Sequence, residues 1–363
     1  GVIALYKAIV DIFADKKYNR IKVVISCRSY TWKHALNRIS QQYQEFTFTP
    51  KSDNLSAIRG FTSEELEQAY TIYGNLYQMA TAFEELTPTS KIRLKDPLIL
   101  KIACTNYLCK KLPEYNKDFT SVALFNKMFN DIANSYAGKM QCQIIEMIAS
   151  HLLGEYERGV AADSISEISL KKALDNPSAP LHTLAKLIYK RDGMSVAYTE
   201  LMNKPERPVL RIAETSDGTG NQIQFIYERF LEYVMARVFV ARHSNNGTIT
   251  TPIPPEIYIQ SLSQASNNVV YMGAMRNALA IDILRTNDYN TIVTMMRDYA
   301  DNYEVSLLVS ELTSTLIAEN YEKHIFELIN ILLDSNIANS TTLIEELNQI
   351  TKLIDSNKAT EQI

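Results

Sequence analysis

The sequence predicts a mainly α protein with a small β component, and three observations carry that prediction. Apolar residues recur at the three- and four-residue spacing of an amphipathic helix over most of the chain. One short β-branched run, residues 21–26 of "IKVVISCRSYTW", follows directly on a helical pattern. One pair of β-like runs, in "VLRIAETSDGTGNQIQFIY", flanks a turn containing Asp217-Gly218 and Thr219-Gly220, the pattern of a hairpin.

Composition narrows the class. The chain has 363 residues, of which 46% are apolar, enough for two or three domains with real cores. Basic and acidic residues nearly balance, 37 against 41, for a net charge of −4. That balance argues against a general nucleic-acid binder. The longest apolar runs, such as "DPLILKIAC", fall short of the roughly 20 residues a membrane helix needs, and no secretion signal is expected, since residues 1–17 lack a basic stretch followed by a small-residue cleavage site. No membrane partner is expected. Four cysteines (Cys27, Cys104, Cys109, Cys142) are too few for a disulfide framework and read as buried, reduced thiols of a cytoplasmic protein. The five histidines are scattered without metal-ligand spacing, so no metal site is expected. The acidic pairs Glu64/Glu65, Glu84/Glu85 and Glu345/Glu346 read as solvated helix surface.

Residues 1–57 open on a helical stripe of Ile3, Tyr6, Ile9, Val10 and Phe13, followed by the strand at 21–26. A helix running into a β-branched strand is the pattern of a parallel α/β sheet. One strand cannot close such a sheet, so further sequence upstream is expected. The strand ends by delivering Arg28, which reads either as a ligand contact or as a surface ion pair.

Residues 58–118 read as a helical domain with two marked helix starts. In "GFTSEELEQAY", Thr62 and Glu65 form a capping box, and Phe61 and Leu66 stand where a hydrophobic staple would. In "LKDPLILKIACTNYL", Asp96 is the N-cap and Pro97 the first helical residue.

Residues 119–242 stay helical to about 175. A helix in "SAPLHTLAKLIYKRDG" is then expected to end at Gly193, followed by the hairpin and a helix from about Tyr227 to Arg242. Helices packed beside a hairpin predict a winged-helix domain, with Phe225 and Phe230 in its core. The Pro-rich "TITTPIPPEIY" marks the next boundary. Residues 243–363 read as a C-terminal helical region, with stripes at Ile325, Leu328, Ile329, Leu332 and Leu333 and at Leu343, Leu347, Ile350 and Leu353. Such helices could begin an α-solenoid, although no motif repeats at a fixed period.

Four segments in order, "KVVISCRS", "IRGFTSEELEQAY", "RLKDPLILKIAC" and "IQFIYERFLEYVMARVF", resemble the NACHT-type STAND ATPases, the signalling P-loop ATPases of immune and defence systems. The resemblance covers about residues 1–242. It implies that residues 1–57 are the C-terminal remnant of the α/β P-loop domain, with Arg28 as the sensor-1 arginine that reaches the γ-phosphate. It also implies that Pro97 packs on adenine, with Leu94 in support. Lys95 stands where relatives have a glycine two residues before that proline. The winged-helix motif reads Phe225, Tyr227, Glu232, Tyr233, and Tyr227 occupies the place of a histidine that touches the β-phosphate of ADP. A phenol can donate a hydrogen bond but carries no positive charge near neutral pH.

The resemblance further implies ATP or ADP with Mg²⁺ as cofactors, and oligomerisation driven by exchange of ADP for ATP, in a setting such as microbial defence. The sensed ligand is not implied. The sequence contains no G-x-x-x-x-G-K-[ST] and no apolar strand ending in paired acids. The chain by itself is therefore expected not to hydrolyse ATP, and no catalytic residue is assigned within it. The alternative is a non-enzymatic helical scaffold whose winged-helix module binds DNA or protein. Lys186, Lys190, Arg191, Lys204, Arg207 and Arg211 make that segment mildly basic, short of the dense basic face of a DNA reader.

Overall fold

A computed structural model describes residues 60–113, 120–160, 162–190, 193–203, 208–214, 220–244, 251–264, 268–286 and 288–298, with Leu308 and Leu312 beyond them. Arg28, the strand at 21–26 and both C-terminal stripes lie outside the described residues. What is described is mainly helical, with a three-stranded antiparallel sheet and a two-stranded one.

Helix α1 (Ser63–Tyr77) starts as the sequence requires. The Thr62 hydroxyl accepts from Glu65 N at 3.2 Å, and the Glu65 carboxylate accepts from Thr62 N at 2.8 Å. Leu66 is buried and Phe61 packs against the core. After a 3₁₀ turn (Phe83–Glu85) come α2 (Pro88–Leu94) and α3 (Pro97–Asn106), both opened by proline at the first position. Glu64, Glu65, Glu84 and Glu85 are all exposed, as expected of solvated surface.

The next segment holds α4 (Ser121–Ala133), α5 (Gly138–Glu157), β1 (Ser164–Ser166), α6 (Glu167–Leu174) and α7 (His182–Ile188). Two expectations are corrected here. The helical pattern to 175 is interrupted by β1, three residues with a single buried apolar side chain, Ile165. Helix α7 ends at Ile188, not at Gly193. Tyr189 and Lys190 (β2) pair instead with Gly193 and Met194 (β3), and Gly193 adopts φ +131°, a turn geometry that L-residues rarely reach. Helix α8 (Val196–Asn203) follows, its start capped by the Ser195 hydroxyl, which accepts from Tyr198 N at 3.3 Å.

The predicted hairpin is present as β4 (Leu210–Glu214) and β5 (Asn221–Phe225). Strand β5 lies in the middle of the sheet, in the order β1-β5-β4. Register places Ile165 opposite Ile223, Ile223 opposite Ile212, and Leu210 opposite Phe225. The apolar residues therefore share one face, while Ser164, Gln222, Arg211 and Gln224 share the other. On that polar face Ser164 donates to Gln222 at 3.1 Å and Arg211 to Gln224 at 3.2 Å.

Helix α9 (Glu228–His243) runs through the core, burying Phe230, Leu231, Tyr233, Val234, Met235, Ala236 and Phe239. Phe230 packs on Phe125 and Phe225 at 5.8 and 6.1 Å between ring centroids. α9 also lies along α5 and, most extensively, along α11 (Val269–Thr286). The Pro-rich segment before α10 (Pro255–Gln264) is pinned. Ile253 is buried, its N–H donates to Asp282 at 2.9 Å, and its carbonyl accepts from Thr291 of α12 (Asn290–Asp298) at 2.9 Å.

Cys104 and Cys142 are buried as expected, and burial pushes their thiols up to about 12 and about 11. Cys109 is not; it is exposed in a left-handed turn at φ 56°. No helix among the described residues is long and apolar enough to cross a membrane.

Candidate functional site

The start of α3 and the start of α9 meet, and the sequence-predicted residues Pro97 and Tyr227 belong to that junction. Asp96 places the first of them. One carboxylate oxygen, Oδ1, accepts from Leu98 N at 2.8 Å and Ile99 N at 3.3 Å, satisfying two of the free donors at the start of α3. Pro97 follows as the first helical residue and is exposed. Leu94 is fully buried, so it supports the turn from the core and presents no surface to a ligand.

The chain entering α1 lies against the same turn. Phe61 N donates to the Lys95 carbonyl at 2.7 Å, and a Cβ added at Gly60 would stand 2.7 Å from that oxygen. The close approach therefore requires glycine at position 60, although position 95 itself is a lysine.

From the other side, Tyr227 is the N-cap residue of α9. It is extended, at φ −109° and ψ 112°, and its carbonyl accepts from Phe230 N and Leu231 N, each at 3.1 Å. Its half-buried ring lies beneath Lys101 of α3, whose Nζ is 5.4 Å from the ring centroid. Two residues on, Arg229 Nη1 donates to Asp96 Oδ2 at 2.6 Å, an ion pair across 133 positions of sequence. Asp96 thus caps α3 with one oxygen and holds α9 with the other.

Lys101 is half-buried among aromatics. Its pKa is raised, first by its interaction with the Tyr227 hydroxyl and then, against the opposing effect of burial, by the nearby Tyr77 and Tyr73. Tyr73 and Tyr77 stack on α1 at 5.8 Å with rings 4° from parallel. The ammonium is accordingly held charged in the neutral range.

The junction thus offers an exposed proline ring, a phenol, a cation held on that phenol and a guanidinium–carboxylate pair. Such a set can bind a flat ring with an anionic tail. Among the described residues it pairs no nucleophile with a base. Among the described residues no cluster of three or more His, Cys, Asp or Glu side chains could hold a metal ion.

Sequence reasoning missed Lys101 and Arg229. Lys101 was findable, standing one helical turn after Pro97 on the same face. Arg229 carried no local signal, because its partner is 133 residues away. Glu232, read as part of the same motif, is buried between α9 and α11, where its carboxylate abuts Gly273 and stands 3.8 Å from Arg276. No protein-family model, curated protein or solved structure matches this chain.

Proposed function

We propose that this chain is part of a nucleotide-switched signalling ATPase of the NACHT-like STAND type. In that reading, an adenine nucleotide binds at the α3–α9 junction and its exchange rearranges the helices that meet there. The observation that carries the reading is the junction itself. Two motif segments recognised separately, around Pro97 and around Tyr227, are joined by the Asp96–Arg229 ion pair and the Lys101–Tyr227 contact.

Element order supports the finer domain reading. The series α5, β1, α6, α7, α8, β4, β5, with β5 between β1 and β4, is the arrangement expected of a winged-helix domain. Residues 58–118 would then be the helical domain preceding it, and residues 243–363 the start of a sensor region. Within the intact protein, bound ATP with Mg²⁺ would supply the charge difference that the switch reads. Pro97 would pack on the base, Tyr227 would face the phosphates, and Arg28 would approach the γ-phosphate as a forked, charge-assisted contact. Self-association would follow from displacement of α9, which contacts α5, α11 and the sheet at once.

The DNA-binding alternative is disfavoured by α8, the helix that a winged-helix protein would place in the major groove. Its sequence, VAYTELMN, contains no lysine or arginine.

The test is calorimetric titration of the full-length protein with ADP and with ATP–Mg²⁺. Both are expected to bind, and Arg28→Ala is expected to weaken ATP about 10- to 100-fold while sparing ADP. Absence of binding by either nucleotide to folded full-length protein would overturn the reading.

A further inference from the structure

Among the cations around the α3–α9 junction, Lys101 differs from its neighbours in what compensates it. Arg229 is paired with Asp96 at 2.6 Å, and Lys127 of α4 with Asp131 at 3.2 Å. The groups that act electrostatically on Lys101 are three tyrosines, Tyr227, Tyr77 and Tyr73, and its Nζ stands 5.4 Å from the centroid of the Tyr227 ring. A neutral phenol offers such an ammonium a hydrogen bond but no compensating charge. Its three donors exceed what one neighbouring phenol oxygen can accept. The ammonium is also restrained by the Tyr227 ring, so less rotamer freedom remains to be lost when it binds a ligand.

Position adds a second argument. Lys101 lies four residues after Pro97, so the two share one face of α3 roughly 5–6 Å apart. Pro97 is exposed. A ligand with a flat ring on the proline and an anionic group on the lysine would therefore lie along a single helical turn. Tyr227 belongs to α9 and Lys101 to α3, so an anion seated between them would touch both helices and favour their docked arrangement.

We infer that Lys101, held against the Tyr227 ring, is the cationic contact for the diphosphate of an adenine nucleotide bound at the α3–α9 junction. This rests on the nucleotide reading above and assigns to it a residue that the motif resemblance does not. Tyr227 contributes no charge of its own; Lys101 supplies it from the neighbouring helix. The pair acts as one anion-binding unit, with the phenol positioning the ammonium.

The experiment is calorimetric titration of the full-length protein with ADP and with adenosine, for the unmodified protein and for Lys101→Met, Lys101→Arg and Tyr227→Phe. Lys101→Met keeps the length of the side chain and removes the charge. It should weaken ADP about 10- to 100-fold and leave adenosine unchanged. Lys101→Arg should retain most of the ADP affinity, and Tyr227→Phe should lose a smaller factor, again for ADP alone. A thermal melt identifies any variant that fails to fold, and Tyr227→Phe then carries the test, because it preserves the ring and its packing. ADP binding unchanged in folded Lys101→Met overturns the assignment while leaving the nucleotide reading intact, as does an equal loss for ADP and adenosine. If the unmodified protein binds neither ligand, the nucleotide reading falls and the role of Lys101 falls with it.

Discussion

Asp96 divides its two carboxylate oxygens between two tasks, and the tasks can be separated chemically. Asparagine caps a helix about as well as aspartate but cannot form an ion pair. Asp96→Asn is therefore expected to lose only the exposed Arg229 pair, about 0–1 kcal/mol. Asp96→Ala should lose the cap as well, about 1 kcal/mol more. Urea unfolding of both variants, with Arg229→Ala as reference, measures the division; equal losses in the two would mean that the cap contributes nothing. His151 offers a second single-residue test. Burial holds its pKa below the usual imidazole value, against the opposing attraction of Glu155, whose Oε1 is 3.7 Å from Nε2. Burial lowers His243 in the same way. The unfolded chain then binds more protons near pH 6, so this contribution to stability is complete above about pH 6.5 and is lost as the pH falls. Asp282 and Glu146, whose pKa values burial raises, act in the opposite sense at lower pH. His151→Gln should reduce the fall in melting temperature between pH 7.5 and 5.5, and an unaltered fall would show that His151 does not contribute.

Pairs of elements depend on close approach. Among the described residues, helices α9 and α11 share the most extensive helix–helix contact, and Gly273 of α11 meets the buried Glu232 carboxylate of α9. Alanine is favoured over glycine within a helix by about 1 kcal/mol. At position 273, however, its methyl would overlap the carboxylate, and overpacking of this kind costs about 1–3 kcal/mol. Gly273→Ala should therefore be neutral to destabilising in the native sequence and stabilising by up to about 1 kcal/mol in a Glu232→Ala background. Denaturant melts of the two single variants and the double variant decide the matter. If the methyl has the same effect in both backgrounds, the overlap does not govern the packing.

For the molecule as a whole, the central question is whether local binding energy can move α9. Inverting a 1:99 population to 99:1 requires about 5.5 kcal/mol of differential affinity. One charge-assisted hydrogen bond to phosphate contributes about 1.5–3 kcal/mol. Neither Arg28 nor Lys101 alone could drive such a switch; the proposed mechanism needs both helices at the junction and a sensed ligand acting on the same equilibrium. In the proposed mechanism α9 would receive those inputs, because its start carries Tyr227 and Arg229 and its body is packed on α5 and α11. Any displacement of its start must also disturb the aromatic cluster of Phe125, Phe225, Phe230 and Tyr233. A packed core of this kind favours discrete arrangements over gradual deformation.

The sequence by itself determined the features whose causes are local. The capping box of Thr62 and Glu65, the Asp96-Pro97 helix start and the β4–β5 hairpin were all legible, because each is decided by residues a few positions apart. The mainly helical class followed from periodicity for the same reason. Tertiary structure alone decided the rest. Strand β1 has three residues and exists through its pairing with β5, 58 positions away at the Ser164–Gln222 contact. Helix α7 stops at Ile188, where Tyr189 and Lys190 leave the helix to pair with Met194 and Gly193, overriding a pattern that read as continuous helix. The α3–α9 junction depends on Asp96 and Arg229, which no sequence window holds together. Hydrogen bonds and caps between near neighbours leave a local signature; ion pairs and strand pairings between distant residues leave none, because only the folded chain brings those residues together.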